Sequence, residues 1–169
     1  MIRIRPAGPA DAPALAAAVL RNREHMRARE PYRSEDHYTV EGQAARLADG
    51  GKRWFAVDGE ELVAVATLSG IVLGPSHSAS LGYWVDARYT GQGLATRLAD
   101  EVCRAAREEL GLHRIDACTT FDNHASQRVL AKSGFERIGT APRYLHINGA
   151  WRDYHLFQRI LHDDPPPQG

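Results

Sequence analysis

The chain has 169 residues, 43% of them hydrophobic and 25% charged, a size and balance that suit one globular domain with a sizeable core and exclude collagen-like, disordered and disulfide-scaffold classes. Lys plus Arg and Asp plus Glu both total 21, so no whole-chain field draws in nucleic acid or anionic lipid, and neither a direct nucleic-acid partner nor a membrane is expected.

Cys103 and Cys118 lack a CxxC spacing and read as small core residues. The start, Met1-Ile2-Arg3-Ile4-Arg5-Pro6, has no secretory pattern, and the expected compartment is the cytoplasm. None of the eight histidines forms an HxxxH or HxH pair, so no metal site is expected. The uncharged stretch from Leu62 to Val85 is long enough for a membrane span, but Gly70, Gly74, Pro75, Ser76, His77 and Ser78 interrupt it, and two strands with a turn account for it better.

Ile2 and Ile4 alternate with Arg3 and Arg5 as in a first strand, and Asp11 precedes an Ala/Leu-rich helix from Ala12 to about Leu20. Arg21 to Tyr38 mixes arginines, acids, Pro31 and two tyrosines and is expected to be irregular or briefly helical over the surface. Val40 to Ala48 suits a helix capped by Thr39 and stopped by Gly50-Gly51. Trp54–Val57 and Leu62–Val72 form an expected hairpin at Asp58-Gly59, and Ser80–Val85 adds a third antiparallel strand after Gly74-Pro75.

From Gly93 to Leu110 the residues Leu94, Leu98, Val102, Ala106 and Leu110 recur every four positions, which predicts a helix stopped at Gly111. Ile115–Thr119 reads as a strand, making a strand-helix-strand crossover from Val85. Asp122 or Asn123 can cap a helix through Lys132, closed by Gly134. Phe135–Ile138 and Trp151–Ile160 read as two final strands around a turn at Asn148-Gly149, before a Pro-rich tail from Asp163 to Gly169 expected to be disordered.

The most informative segment is Tyr89-Thr90-Gly91-Gln92-Gly93-Leu94-Ala95-Thr96, which joins a predicted strand to the start of the long helix. Helix starts expose unpaired N–H groups and a partial positive charge, and Gly91 and Gly93 let a phosphate come close to them. A dinucleotide fingerprint wants a third small residue at Thr96 within parallel units, and a triphosphatase loop wants a lysine after Gly93; neither pattern is present.

Leu81-Gly82-Tyr83-Trp84-Val85, followed by Tyr89 to Ala95, resembles the acetyl-CoA-binding core of the GNAT acetyltransferase superfamily. Asn123-His124-Ala125-Ser126, Lys132-Ser133-Gly134-Phe135 and Asn148-Gly149-Ala150-Trp151-Arg152-Asp153-Tyr154 are similar to its RimJ/RimL branch, the ribosomal-protein N-terminal acetyltransferases. The resemblance implies an α/β (α+β type) GNAT fold over residues 1–162: a mixed, mostly antiparallel, splayed sheet of about seven strands with helices on both faces.

It also implies that Thr90, Gly91, Gln92, Gly93, Leu94, Ala95 and Thr96 wrap the CoA pyrophosphate, and that backbone groups of Tyr83, Trp84 and Val85 meet the pantetheine arm. N–H groups freed near Tyr83 and Trp84 are the expected oxyanion donors. Ser126, sharing a helix face with Asn123, is implied as donor to the departing sulfur. Arg114, Arg128 and Lys132 are candidates for the adenosine 3'-phosphate. Glu30 is the candidate base, with Asp36, His37 and His77 behind it. Two positions depart from the family pattern: Thr90 replaces a Gln or Arg, and Arg29 replaces a tryptophan within His25-Met26-Arg27-Ala28-Arg29-Glu30-Pro31.

The implied reaction is direct transfer of acetyl from acetyl-CoA to a primary amine in a ternary complex, with the N-terminal α-amine of a ribosomal protein beginning with Ala or Ser as the leading acceptor. An enzyme acting on a small-molecule amine, and a CoA-binding regulatory module without catalysis, remain alternatives. The discriminating feature is the acceptor groove formed by Arg27–Tyr38 and Pro142–Trp151, open for peptides or closed and acidic for small cations. A monomer or homodimer is expected.

Overall fold

Seven strands and five helices are present in the computed structural model, which describes residues 1–168. In chain order they are β1 (Ile2–Pro6), α1 (Ala12–Arg21), α2 (Arg23–Met26), α3 (Val40–Leu47), β2 (Lys52–Asp58), β3 (Glu61–Val72), β4 (Ser78–Val85), α4 (Leu94–Glu108), β5 (Arg114–Thr120), α5 (His124–Lys132), β6 (Glu136–Ile147) and β7 (Ala150–Ile160). No helix among the described residues is long and apolar enough to cross a membrane.

Alternation along β2 sets the layering, since successive side chains of a strand point to opposite faces. Trp54 and Ala56 join the larger cluster with Leu94, Leu98 and Val102 of α4, whereas Phe55 and Val57 join a smaller one with Leu15, Ala18 and Val19 of α1. Helices therefore cover both faces. The four-residue repeat of α4 is realised, with Leu94, Leu98, Val102 and Ala106 all buried. Cys103 is buried beside them and, like Cys118, is a free thiol.

The sheet order is β1-β2-β3-β4-β5-β7-β6. Every neighbouring pair is antiparallel except β4 and β5, which run parallel over only Ser78–Arg114, Ala79–Ile115 and Ser80–Asp116. Beyond those three pairs β4 stays zipped to β3 through Val85, and β5 stays zipped to β7 through Thr120. The sheet splays open between them, giving the mixed, mostly antiparallel GNAT architecture with helices on both faces.

One expectation needs amendment. The strand expected over Phe135–Ile138 is a longer β6 reaching the Asn148-Gly149 turn. It was hard to read because its middle is mostly exposed and kinked: pairing with β7 slips between Ala141 and Leu145, where Pro142 lacks a donor and Arg143 takes a φ of 49°. The Arg21–Tyr38 stretch is briefly helical as expected, holding α2 and short 3₁₀ turns at Arg27–Arg29 and Glu35–Tyr38. Ahead of the tail, Leu161 is buried and its N–H is donated to the His113 carbonyl at 2.7 Å. No helix or strand follows through residue 168, and Gly169 lies outside the described residues.

Candidate active site

The glycine turn rests on a buried anchor with no sequence motif to announce it. Asp86 follows the last residue of β4, with a side chain 1% exposed. Its carboxylate accepts from the Arg88 N–H (2.9 Å), Nε (3.0 Å) and Nη2 (2.9 Å), from Asn22 Nδ2 (3.0 Å) and from Arg21 Nε (2.8 Å). These hydrogen bonds, the Arg88 side chain's foremost, hold the carboxyl well below the usual carboxylate range. Asn22 Oδ1 accepts the Ala87 N–H at 3.0 Å, so the end of α1 is bolted to the start of the turn.

From this anchor the chain makes a 3₁₀ turn over Ala87–Tyr89, and the Thr90 hydroxyl closes it by donating to the Ala87 carbonyl at 3.1 Å. Gly91 (φ 75°) and Gly93 (φ 74°) then take left-handed conformations, and no neighbour crowds the position where a Cβ would stand. Glycine is needed there for the backbone conformation, and its bareness leaves the face open. The first bond within α4 is Arg97 N–H to the Gly93 carbonyl, so the N–H groups of Leu94, Ala95 and Thr96 have no acceptor inside the helix.

These groups border a groove of about 580 Å³ lined by Thr90, Gly91, Gly93, Leu94, Ala95 and Thr96 from the turn, Tyr83, Trp84 and Val85 from β4, and Asn123, Ser126, Arg128 and Lys132 from the α5 side. The sequence-expected CoA residues thus come together, with two exceptions. The Gln92 side chain turns back to donate to the Arg88 carbonyl at 3.3 Å and is not part of the lining. Arg114 sits at the base of β5, paired with Asp116 at 3.0 Å, away from the groove.

Pairing parity decides which β4 backbone groups face the gap. Asp86 N–H bonds to the Val63 carbonyl at 2.8 Å, and the register places Val85 opposite Ala64. Residues opposite one another in an antiparallel pair alternate between bonded and non-bonded. Trp84 and Gly82 therefore spend their backbone groups on β3, whereas those of Leu81, Tyr83 and Val85 point into the splay. The expectation that the Trp84 backbone also faces the ligand gap is corrected: it is turned toward β3.

Ser126 lies in the first turn of α5, whose N-cap Asn123 accepts the Ser126 N–H through Oδ1 at 3.3 Å. Tyr83 reaches across from β4, with its hydroxyl 2.7 Å from Ser126 Oγ and 3.3 Å from the Ser126 carbonyl. Burial pushes the Tyr83 phenol up to about 12, so it holds its proton at neutral pH. The sequence assigns Tyr83 only backbone roles and does not reveal this contact, which joins residues 43 positions apart. Thr119 was also missed: its hydroxyl is buried with no hydrogen-bond partner, and the residue lines a small cavity of about 150 Å³ in the splay, beside Tyr83 and Ser126.

On the far side of the groove Arg29 spans the opening, with Nη1 donating to Thr120 Oγ1 at 2.9 Å and to Asp122 Oδ1 at 3.0 Å. Met26, Arg29 and Trp84 are shared with a second cavity of about 220 Å³ whose wall includes Glu30, Arg33, His37, Gln43, Arg46 and Arg53. Glu30 belongs to this second compartment and does not line the groove that holds Ser126. Burial raises its pKa, opposed by Arg33 at 3.5 Å and by Arg46. His37 falls to about 4, chiefly through burial and then through the charges of Arg33 and Arg46, so its ring is neutral at pH 7. Asp36 is exposed and lines neither compartment, and His77 lies elsewhere, in a cavity with His113 and His162.

A splayed sheet, a glycine turn presenting free N–H groups and a hydroxyl pair at the splay define a GNAT-type acyl-transfer scaffold. Residues 2–136 match the family model described as the acetyltransferase (GNAT) domain, and the chain belongs to this family of acetyl-CoA-dependent N-acetyltransferases. It is 34% identical over 156 residues to the [ribosomal protein uS5]-alanine N-acetyltransferase of Escherichia coli, covering 86% of this chain and 80% of that one. The ribosomal-protein-S5-alanine acetyltransferase of Vibrio fischeri superposes with a TM-score of 0.92 at 32% identity, covering 98% of this chain and 96% of that chain. Mycobacterium smegmatis RimJ in complex with CoA-disulfide superposes with a TM-score of 0.83 at 30% identity, covering 94% and 81%.

Proposed function

We propose that this enzyme acetylates the N-terminal α-amine of a protein, with a ribosomal protein beginning with Ala or Ser as the leading acceptor. Acetyl-CoA supplies an activated acetyl thioester. The N–H groups of the turn from Gly91 to Thr96 take the pyrophosphate, Arg128 and Lys132 stand near for the remaining phosphate, and backbone groups of Tyr83 and Val85 hold the pantetheine arm. The unpaired N–H groups of the splay stabilise the oxyanion as the amine nitrogen attacks the thioester carbon.

When the carbon–sulfur bond breaks, the sulfur takes a proton. The Ser126 hydroxyl donates it, Tyr83, protonated at neutral pH and 2.7 Å away, restores it through Ser126 Oγ, and Tyr83 regains its own proton from solvent as the products leave. Asn123 fixes Ser126 by capping α5. An α-amine has an ordinary pKa of about 7.7 to 8.0, so a sizeable neutral fraction is available at physiological pH, and the proton it sheds after attack goes to water or to Glu30.

The observation that carries the choice of acceptor is the match over nearly the whole chain to an S5-alanine acetyltransferase, acceptor half included. The acceptor compartment supports it by what it lacks: four guanidinium groups against the single carboxylate of Glu30 do not suit a polyamine or an aminoglycoside. The test is mass spectrometry of acetyl-CoA reactions with Ala- and Ser-starting peptides, polyamines and aminoglycosides. Acetylation confined to peptide α-amines is expected, and modification of the polycations instead overturns the reading.

A further inference from the structure

Four arginines line the acceptor compartment, and three of them are engaged. Arg53 makes two bonds to Asp49, at 2.7 and 3.1 Å, Arg29 bridges to Thr120 and Asp122, and Arg33 approaches Glu30 at 3.5 Å. Arg46, in the last turn of α3, has no hydrogen bond or ion pair among the described residues. It is partly buried, next to the like charges of Arg33 and Arg53, and burial followed by those charges lowers its pKa. Asp49 and Glu30 are the acids that face it, and each is already shared with another arginine.

A guanidinium stays ionised in proteins, so it cannot escape this setting by losing its proton. A desolvated, unpaired charge held against two others is costly in the free enzyme, and an anion entering the compartment relieves that cost. The planar fork of Arg46 matches a carboxylate in two-point contact, with Arg33 able to add a further donor.

We propose that the compartment lined by Arg33, Arg46 and Trp84 is a carboxylate-binding subsite, and that the enzyme selects amine acceptors carrying a carboxylate a short distance from the reacting nitrogen. The inference rests on this compartment being the acceptor side of the α-amine transferase argued above. The carboxylate can come from an acidic side chain close behind a polypeptide N-terminus or from the α-carboxyl of a free amino acid. The shape favours the polypeptide, because Glu30, Pro31 and Arg33 also wall a further cavity of about 370 Å³, which gives a longer acceptor room to continue past Arg33.

The test uses the CoA-saturated full-length protein, titrated calorimetrically with Ala-starting hexapeptides carrying one Glu at position two, three or four, with their Gln twins, and with L-alanine against L-alaninamide. At one peptide position the Glu form is expected to bind about tenfold tighter than its twin, the size of a charged hydrogen-bonded contact. That ratio should fall below about threefold in Arg46→Gln. Arg46→Lys, which keeps the charge and loses the fork, should retain an intermediate ratio and serves if the Gln variant does not fold. A preference seen only for L-alanine over its amide assigns the site to free amino acids. Equal binding within every pair, or a preference that survives in folded Arg46→Gln, overturns the subsite. Product analysis of the same mixtures separates the two claims. A carboxylate preference without α-N-acetylated peptide overturns the protein-acceptor reading alone, and acetylated peptide without any preference overturns the subsite alone.

Discussion

The proposed donor half, from β4 through α5, and the proposed acceptor half, from Arg23 through α3, are built by different means. In the donor half the groups that face the groove are largely backbone: N–H groups at the start of α4 and backbone groups of Tyr83 and Val85 left over where β4 and β5 part. Such groups are fixed by the fold and do not depend on the side chain that carries them. In the acceptor half the compartment is walled by side chains, arginines above all, and each substitution changes what it can accept.

The largest effect is expected at the anchor that ties the glycine turn to the end of α1, just ahead of Arg23. Asp86→Ala leaves Arg21, Asn22 and Arg88 without their shared carboxylate and should cost about 3 kcal/mol, since breaking a buried pair exposes the partners' desolvation. Thermal melting should fall by roughly 10 °C. Because the folded carboxyl titrates below its unfolded value of about 3.9, its contribution is complete above about pH 4 and is lost as pH drops toward the folded value. Asp86→Asn should accordingly flatten the loss of stability below pH 4, as read by denaturant titration at several pH values.

Next comes the proton relay. Ser126→Ala should lower kcat about 100-fold with little change in the KM for acetyl-CoA, and Tyr83→Phe about tenfold. The double variant should match Ser126→Ala alone, because the two hydroxyls act as one unit, and additive losses would break that link. Gly93→Ala forces a Cβ into a left-handed backbone at about 1 to 2 kcal/mol, and should weaken acetyl-CoA-induced thermal stabilisation by about tenfold in apparent affinity. The smallest effect belongs to Arg29→Gln. Its ion pair with Asp122 is largely exposed, so stability should change by less than about 1 kcal/mol in the same melting assay.

The same contrast explains what the sequence could reveal. Short-range pattern carried the four-residue stripe of α4, the Asn123 cap and the glycines at 91 and 93, each a local consequence of backbone geometry. The crossover between β4 and β5 was legible because a helix sits between two apolar runs. What escaped was non-local. The Tyr83–Ser126 contact joins residues 43 apart, Asp86 gathers Arg21 and Asn22 at the end of α1 from 65 and 64 positions away, and Arg29 reaches Asp122 across 93. No spacing rule encodes such pairs. β6 escaped for a different reason, because an exposed strand kinked at Pro142 and Arg143 carries no clean alternation.

A crystal structure of the CoA complex tests the donor-half account most directly, since it needs no knowledge of the acceptor. The pyrophosphate should lie on the N–H groups between Gly91 and Thr96, and the sulfur within hydrogen-bond reach of Ser126 Oγ with Tyr83 still bonded behind it. A thiol seated away from Ser126, or a pyrophosphate held elsewhere, would contradict the account.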